Sequence, residues 1–309
     1  MAYATGAGDR RRCCAGMTRK VLVRVEDREL VLTNLDKVLY PDAGFTKAEV
    51  IDYYTKIADV MLPHIGNRPL TVKRFPDGVD GQFFFEKNAP AHTPDWVRTV
   101  TLPVPGSTKN REKIEFAVIC DLPTLVYYAN LAALEVHVPM WRVSPDGGPL
   151  PPDTLVFDLD PGAPATIVEC CRVAMLLREA LAGDGLDGFP KTSGKKGMQL
   201  YVPWDRGFGT SDYAKALARK LESHDPGITS VMARKARPGK VFIDWSQNNP
   251  AKTTVAPYSL RADRLPTVST PLTWEEVEEC EGPEDLVFTA SDVLGRVAEH
   301  GDLFVDAHA

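Results

Sequence analysis

No apolar run in the 309 residues approaches the ~18 that a membrane-crossing helix needs, so no membrane partner is expected. No secretory leader is expected either: the first residues are Gly-rich and lead into Arg10-Arg11-Arg12 with no apolar stretch behind them. The cysteines (Cys13, Cys14, Cys120, Cys170, Cys171, Cys280) form no C-x-x-C pair, and two pairs are adjacent in sequence, which suits neither a zinc site nor a disulfide framework. They read as reduced thiols of a cytoplasmic protein, with Cys120 and the Cys170/Cys171 pair partly in the core. The six histidines show no H-E-x-x-H spacing. Positive charge is in deficit as well: 36 Lys+Arg against 42 Asp+Glu leave −6, a bulk balance that argues against a nucleic-acid binder. What the chain does have is 44% hydrophobic and 25% charged residues, enough to bury a core in one large domain or two modest ones.

The average conceals a segregation. Residues 191–264 carry 14 basic and 6 acidic side chains, whereas 265–309 carry 1 and 11. A basic stretch beside an acidic tail makes a field that can steer a charged ligand. A solvated basic face balanced by an acidic helix accounts for the same charges without a ligand.

Residues 1–18, small and Arg-rich with a second methionine at Met17, read as a disordered extension ahead of a single domain over 19–305. Alternation over 21–34 predicts a strand pair. Thr46 and Glu49 predict a capping box for a helix whose apolar stripe runs from Val50 to Met61 and which Pro63 ends. Short strands are expected at 70–75 and 83–87, a hairpin with a charged tip over 98–119, and a helix near 122–133. A strand-like stretch at 134–143 and a Pro/Gly-rich loop at 144–153 follow. Strands at 155–160, 198–204, 240–245 and 253–260 are then interspersed with helices at 164–182 and 211–223, ahead of tail helices near 274–280 and 290–300. This pattern predicts an α/β (α+β) fold with helices on sheet faces.

The sharpest chemistry is Asp158-Leu159-Asp160, closing an apolar strand before Pro161-Gly162. Strand periodicity puts both carboxylates on one face, where they repel and raise each other's pKa unless a cation lies between them. Carboxylate oxygens select Mg²⁺ or Mn²⁺ over softer ions. Asp244, in the apolar stretch KVFIDW, supplies a third carboxylate if its strand lies beside 155–160, and three can hold two metals for in-line attack at phosphorus. Each aspartate alone also reads as a strand-end cap. Between these strands Thr192-Ser193-Gly194-Lys195-Lys196-Gly197 can bring backbone N–H groups and lysines onto a polyphosphate, although its glycine spacing is too short for a P-loop and it also reads as a basic β-turn. Arg234, Lys235, Arg237 and Lys240 precede Asp244, and Gln247, Lys252 and Arg261 follow it. Metal plus triphosphate accounts for acids and bases entering one site.

In this order, FDLDPG, TSGKKG, VFIDWSQNN and KTTVAPYSLR resemble the polymerase domain of bacterial ligase D, a primase-polymerase of the archaeo-eukaryotic primase superfamily. LTNLDKVLYP, TVKRFP, FFFEK and ALEVHVPMW fit upstream, so the similarity runs from about 30 to about 300. With no ligase domain expected beside it, the chain resembles the free-standing mycobacterial forms, including the ligase C-associated primase-polymerase. The resemblance implies a primase-polymerase fold of mixed sheets with flanking helices. It implies Asp158, Asp160 and Asp244 as ligands of two catalytic Mn²⁺ or Mg²⁺ ions, and His137, Ser193, Lys196, Gln247 and Arg261 as ligands of the incoming nucleoside triphosphate. Asn34, Lys37 and Lys47 would form a pocket for the 5′-phosphate at the downstream edge of a gap, where two lysines beside a helix start would also offer free N–H groups. Phe84 and Phe85 would stack on the template, although strand alternation alone would put one of them in the core. Lys73, Lys87, Arg237 and the 106–113 tip would contact DNA or the primer terminus.

Gln199 stands where the resembled family usually has a histidine; it can donate a hydrogen bond there but cannot carry charge. The expected activity is template-dependent addition of nucleotides, ribonucleotides preferentially, to primer 3′ ends at short gaps with a 5′-phosphate. Gap filling in excision repair is expected ahead of end joining, with an ATP-dependent DNA ligase of the C or D type, and Ku, as possible partners. The rivals are a D-x-D glycosyltransferase, which leaves Asp244 without a role, and a catalytically weak DNA-end-bridging module, which Gln199 would suit.

Overall fold

In the computed structural model, which describes residues 20–104 and 112–308, two sheets carry Asp158, Asp160, Asp244 and Gln199 on one and Lys73, Phe84, Phe85 and His137 on the other. The chain begins with the hairpins β1 (Lys20–Val25)–β2 (Arg28–Thr33) and β3 (Val38–Tyr40)–β4 (Phe45–Thr46), which lead into α1 (Lys47–Lys56) and α2 (Ala58–Ile65). Then come β5 (Thr71–Arg74), β6 (Phe84–Glu86), the hairpin β7 (Thr99–Pro103)–β8 (Lys113–Ala117), α3 (Leu122–Asn130), β9 (Ala133–Val138) and the pair β10 (Trp141–Val143)–β11 (Pro149–Pro152). The second half holds β12 (Thr154–Pro161), α4 (Ile167–Gly183), β13 (Phe189–Thr192), β14 (Met198–Pro203), α5 (Thr210–His224), β15 (Ile228–Thr229) and β16 (Val241–Asp244). β17 (Thr254–Val255), α6 (Trp274–Glu278) and α7 (Ala290–His300) complete the elements.

The four-stranded sheet has the order β17-β9-β5-β6, and the five-stranded sheet β13-β14-β12-β16-β15, in which only β15 and β16 run parallel. Because β17 pairs with β9, a strand from the second half of the chain closes the sheet of the first. Two main cores follow. Tyr53, Tyr54, Ile57 and Met61 of the first two helices pack on Val72 and Leu134, and Leu155, Phe157 and Leu159 of β12 pack on Val173 and Leu177 of α4 and Leu217 of α5. Period-two geometry then obliges Asp158 and Asp160 to emerge on the face away from α4 and α5.

Several expectations need correction. Pro63 lies inside α2, which runs on to Ile65 with Gly66 as its cap, so only the one N–H that Pro63 lacks is lost; beyond it Arg68 donates to His64 O and Arg142 to Pro63 O and Gly66 O. Part of the Pro/Gly-rich loop, Pro149–Pro152, is a strand paired with β10. Only Thr254–Val255 of the stretch 253–260 is a strand, since Pro257 lacks an N–H and Tyr258 takes a left-handed φ of 65°. β13 was not anticipated. Cys120 is exposed, while Cys170, Cys171 and Cys280 are buried. The N-terminal extension, Met17, Cys13, Cys14 and the hairpin tip over 105–111 lie outside the described residues.

Candidate active site

Register places four polar side chains in one row across the five-stranded sheet: Lys191 opposite Gln199, Gln199 opposite Asp158, and Asp158 opposite Asp244. Directly opposed residues share a face, so the strand of Asp244 does lie beside that of Asp158 and Asp160, as the sequence required of a three-carboxylate site. Each acid is held differently. Asp158 Oδ1 accepts from Gln199 Nε2 at 3.0 Å. Asp244 is buried; its Oδ1 accepts from Ser246 N at 3.0 Å and Ser246 Oγ at 2.5 Å, and its Oδ2 from Gln247 Nε2 at 3.0 Å. Lys252 Nζ, which donates to Ser246 Oγ, stands 3.9 Å from Asp244 Oδ2. Asp160 is half-exposed, with Arg237 Nη1 at 3.8 Å.

Burial, with Asp160 and Asp244 as like charges, pushes Asp158 up to about 7, and burial with Asp244 raises Asp160. Among the described residues no three His, Cys, Asp or Glu side chains are already drawn round a single point as a metal would draw them. The donor set nevertheless fits hard divalent cations. Three carboxylates share a sheet face, two of them disfavoured as anions by their neighbours, and added positive charge is what such a cluster lacks. Gln199 Oε1, Arg237 Nε and Arg261 Nε, all close by, are buried without a hydrogen-bond partner.

Glycine brings the motif turns against β12. A methyl group on Gly162 would stand 2.0 Å from Arg237 O, and one on Gly197 2.2 Å from Leu159 O. The turn after Asp160 can therefore bond the basic loop, Gly162 N to Lys240 O and Gly239 N to Gly162 O, each at 2.8 Å, which delivers Arg237 to Asp160 and over the ring of Phe242. In the other turn Ser193 Oγ accepts from Lys195 N and Gly197 N, and Ser193 O accepts from Arg261 Nη1 at 2.8 Å. Lys196 is exposed.

The four-stranded sheet carries a second row, Glu135 opposite Lys73 opposite Phe85, with His137 two residues from Glu135 on the same face. Arg261 and Lys195 reach Glu135 and so join the two rows. Phe85, beside His137 with ring centroids 6.1 Å apart, and Phe84, against Arg74, point to opposite faces, yet both are exposed: neither is core. Lys73 Nζ lies 3.9 Å over the ring of Phe83. Phe84, Phe85 and the exposed Lys87 line a cleft of about 1170 Å³ whose walls include Trp141 and Phe208. Sequence reasoning missed Glu135, Lys191 and Phe208. The alternation of LEVHV could have placed Glu135 beside His137, and Phe208 between Gly207 and Gly209, both of positive φ, is an aromatic residue on a glycine-built turn.

Asn34, Lys37 and Lys47 do come together: Lys37 N donates to Asn34 O and Lys47 N to Lys37 O. The expected free N–H groups are not there, because the start of α1 spends them on Lys37 O, Leu35 O and the Thr46 hydroxyl. Lys47 is buried with Nζ donating to Thr33 O at 2.6 Å, and Lys37 pairs with Asp77 at 2.7 Å.

The family described as LigD, primase-polymerase domain, matches residues 46–304. The chain belongs to that family. It is a nucleotidyltransferase of the primase-polymerase kind, with the mixed α/β fold expected. It is 44% identical over 282 residues to the multifunctional non-homologous end joining protein LigD of Mycolicibacterium smegmatis, covering 90% of this chain and 36% of that protein. It is 43% identical over 294 residues to the LigD of Mycobacterium tuberculosis H37Rv, covering 92% and 38%. The chain thus spans less than two fifths of these relatives' length. Its structure matches the polymerase domain of Mycobacterium tuberculosis ligase D, solved in complex with DNA, with a TM-score of 0.84 and 43% identity over 90% of this chain and 97% of that one. Among the described residues no helix is long and apolar enough to cross a membrane.

Proposed function

We propose that this chain adds nucleotides, ribonucleotides in preference, to a primer 3′-hydroxyl at short gaps or breaks in duplex DNA that carry a 5′-phosphate, as a step of DNA repair in the cytoplasm. The observation that carries this reading is the row of Asp158 and Asp244, with Asp160 beside them, on one sheet face next to Arg261 and the 193–196 turn. Acids and bases so disposed suit a polyphosphate and its counter-ions.

Asp158, Asp160 and Asp244 would hold two divalent cations, Mg²⁺ or Mn²⁺, which when bound lower the cost of the primer alkoxide and of the charge on the pyrophosphate leaving group. Gln199 fixes the Asp158 carboxylate, and Ser246 and Gln247 fix that of Asp244. Arg261, Ser193, Lys196 and His137 bind the triphosphate, with Gln199 and Gln247 at its edge. Phe84 and Phe85 offer stacking faces to template bases, a sequence-tolerant contact worth about 1–3 kcal/mol per base. Lys73, Lys87 and Arg237 contact the primer–template, and Asn34, Lys37 and Lys47 take the 5′-phosphate. Gap filling before sealing by an ATP-dependent ligase of the C or D type is the proposed setting. End joining with Ku is a second reading, favoured by the names of the relatives.

Extension of a primer across a short 5′-phosphorylated gap with Mn²⁺, comparing ATP with dATP, tests the proposal. Extension should favour ATP, and Asp158→Ala should abolish it while DNA binding persists. Wild type extending no better than that variant would leave only an end-bridging role.

A further inference from the structure

Glu135 is a carboxylate in the interior, its side chain 2% exposed, addressed by basic groups from four segments of the chain. Its Oε2 lies 3.0 Å from His137 Nε2. Its Oε1 accepts from Ala262 N at 3.1 Å and has Arg261 Nε at 3.6 Å, Lys195 Nζ at 3.8 Å and Lys73 Nζ at 4.0 Å. Burial alone would raise its pKa, but the His137 hydrogen bond and Arg261 bring it down to about 2, so it stays anionic.

This is not a closed ion pair. Arg261 Nε is buried with no hydrogen-bond partner, and Lys195 spends a hydrogen on Ala262 O. Glu135 balances the cations without saturating them, and donors left over in a buried cluster are available to a second anion. The carboxylate also selects the histidine tautomer: it accepts Nε2–H, and among the described residues Nδ1 has no protein partner. The charged groups facing His137 are Glu135 on its own strand, Lys73 from β5 and Arg261 from the segment after β17, with the Phe85 ring beside it. Burial holds the imidazole neutral, aided by Arg261 and Lys73, while Glu135 pulls the other way. A polyanion arriving at Arg261 and Lys73 would offset the two cations and leave the pull of Glu135 unopposed by charge.

We propose that Glu135 is the positioning residue of the triphosphate pocket: it gathers His137, Arg261, Lys195 and Lys73, aims His137 Nδ1 at the ligand, and makes nucleotide binding take up one proton. The proton comes from solvent and ends on Nδ1, from which it is donated to a phosphate oxygen while Nε2–H stays on Glu135. The proposal rests on the reading that His137 and Arg261 hold the triphosphate.

Calorimetric titration of the protein with Mg²⁺-ATP, in buffers of different ionisation enthalpy near neutral pH, reads the proton directly. Wild type should take up as much as one proton per nucleotide, with Kd rising by up to about tenfold per pH unit between the free-state and the bound-state pKa of His137 and levelling off above the latter. Glu135→Gln should lose that uptake and raise the nucleotide KM about tenfold, more than it lowers kcat; Glu135→Asp should restore part of it. Wild-type binding without proton uptake, or a Glu135→Gln protein with wild-type KM and uptake, overturns the proposal. Should Glu135→Gln fail to fold, His137→Ala decides, because proton uptake equal to wild type would equally overturn it. A wild type that binds no nucleotide removes the proposed function itself, and this inference with it.

Discussion

Lys47, proposed as a ligand of the 5′-phosphate, is short of charge. Burial, then the nearby Lys37 and Arg74, lower its pKa from 10.5 to about 8. In the free protein its ammonium is therefore being lost where an ordinary lysine is still fully charged. The sign for stability follows: between about 8 and 10.5 the unfolded chain binds the extra proton, so this residue's contribution rises with pH across that window. The sign for binding is the reverse. The preference for a gap with a 5′-phosphate over one with a 5′-hydroxyl should shrink between pH 7 and pH 9, and Lys47→Ala should remove most of the preference at both. Paired Kd measurements on the two DNAs check this, and an undiminished preference at pH 9 would count against Lys47 as a phosphate ligand.

At the scale of elements, the five-stranded sheet depends on α4 behind it. Thr166 caps α4, its hydroxyl accepting from Val168 N while Glu169 Oε2 accepts from Thr166 N at 2.6 Å, and Val173, Leu177 and Leu181 of the helix cover Leu155, Phe157 and Leu159 of β12. Thr166→Ala should cost about 1 kcal/mol, seen as a lower midpoint of urea unfolding with an unchanged slope. The sequence made some of this legible. The capping box at Thr46 and the apolar strand ending in Asp158 and Asp160 are local patterns, and the pairing of β12 with β16 was the condition that the three acids set. Other parts had no local signal. β13 contains Pro190 and is four residues long, and β17 is two residues that are strand only because β9 is there to pair with them. Glu135 reads as one polar residue of an alternating strand, and nothing short of the folded contacts reveals that Arg261 and Lys195 converge on it. Pro63 reads as a stop because it lacks an N–H, but it falls only two residues before the end of α2, where a single missing bond is tolerated.

Over the whole molecule the deficit of positive charge proves to be a matter of placement. The acidic tail packs away from the carboxylate row, with Val277 of α6 in the core behind α4, Glu278 paired to Arg178, and Glu276 held by Arg296. Of the basic residues at 234–240, Arg237 instead adjoins Asp160. Gapped-DNA affinity should accordingly fall steeply with salt despite the net charge of −6, log Kd following log salt linearly. Arg237→Ala or Lys87→Ala should each reduce that slope by about one if the residue meets a phosphate. A slope near zero would mean that the basic region does not engage the backbone. The row from Lys191 to Asp244 also governs how such a chain can vary in length. Strand faces alternate residue by residue, so one residue inserted into β12, β14 or β16 would turn an acid or its partner into the packed layer behind. Residues inserted into the connecting loops would leave the row as it is. Lengthening and shortening are thus confined to the connecting loops, which leaves the carboxylate row fixed while the surfaces around it are free to diverge.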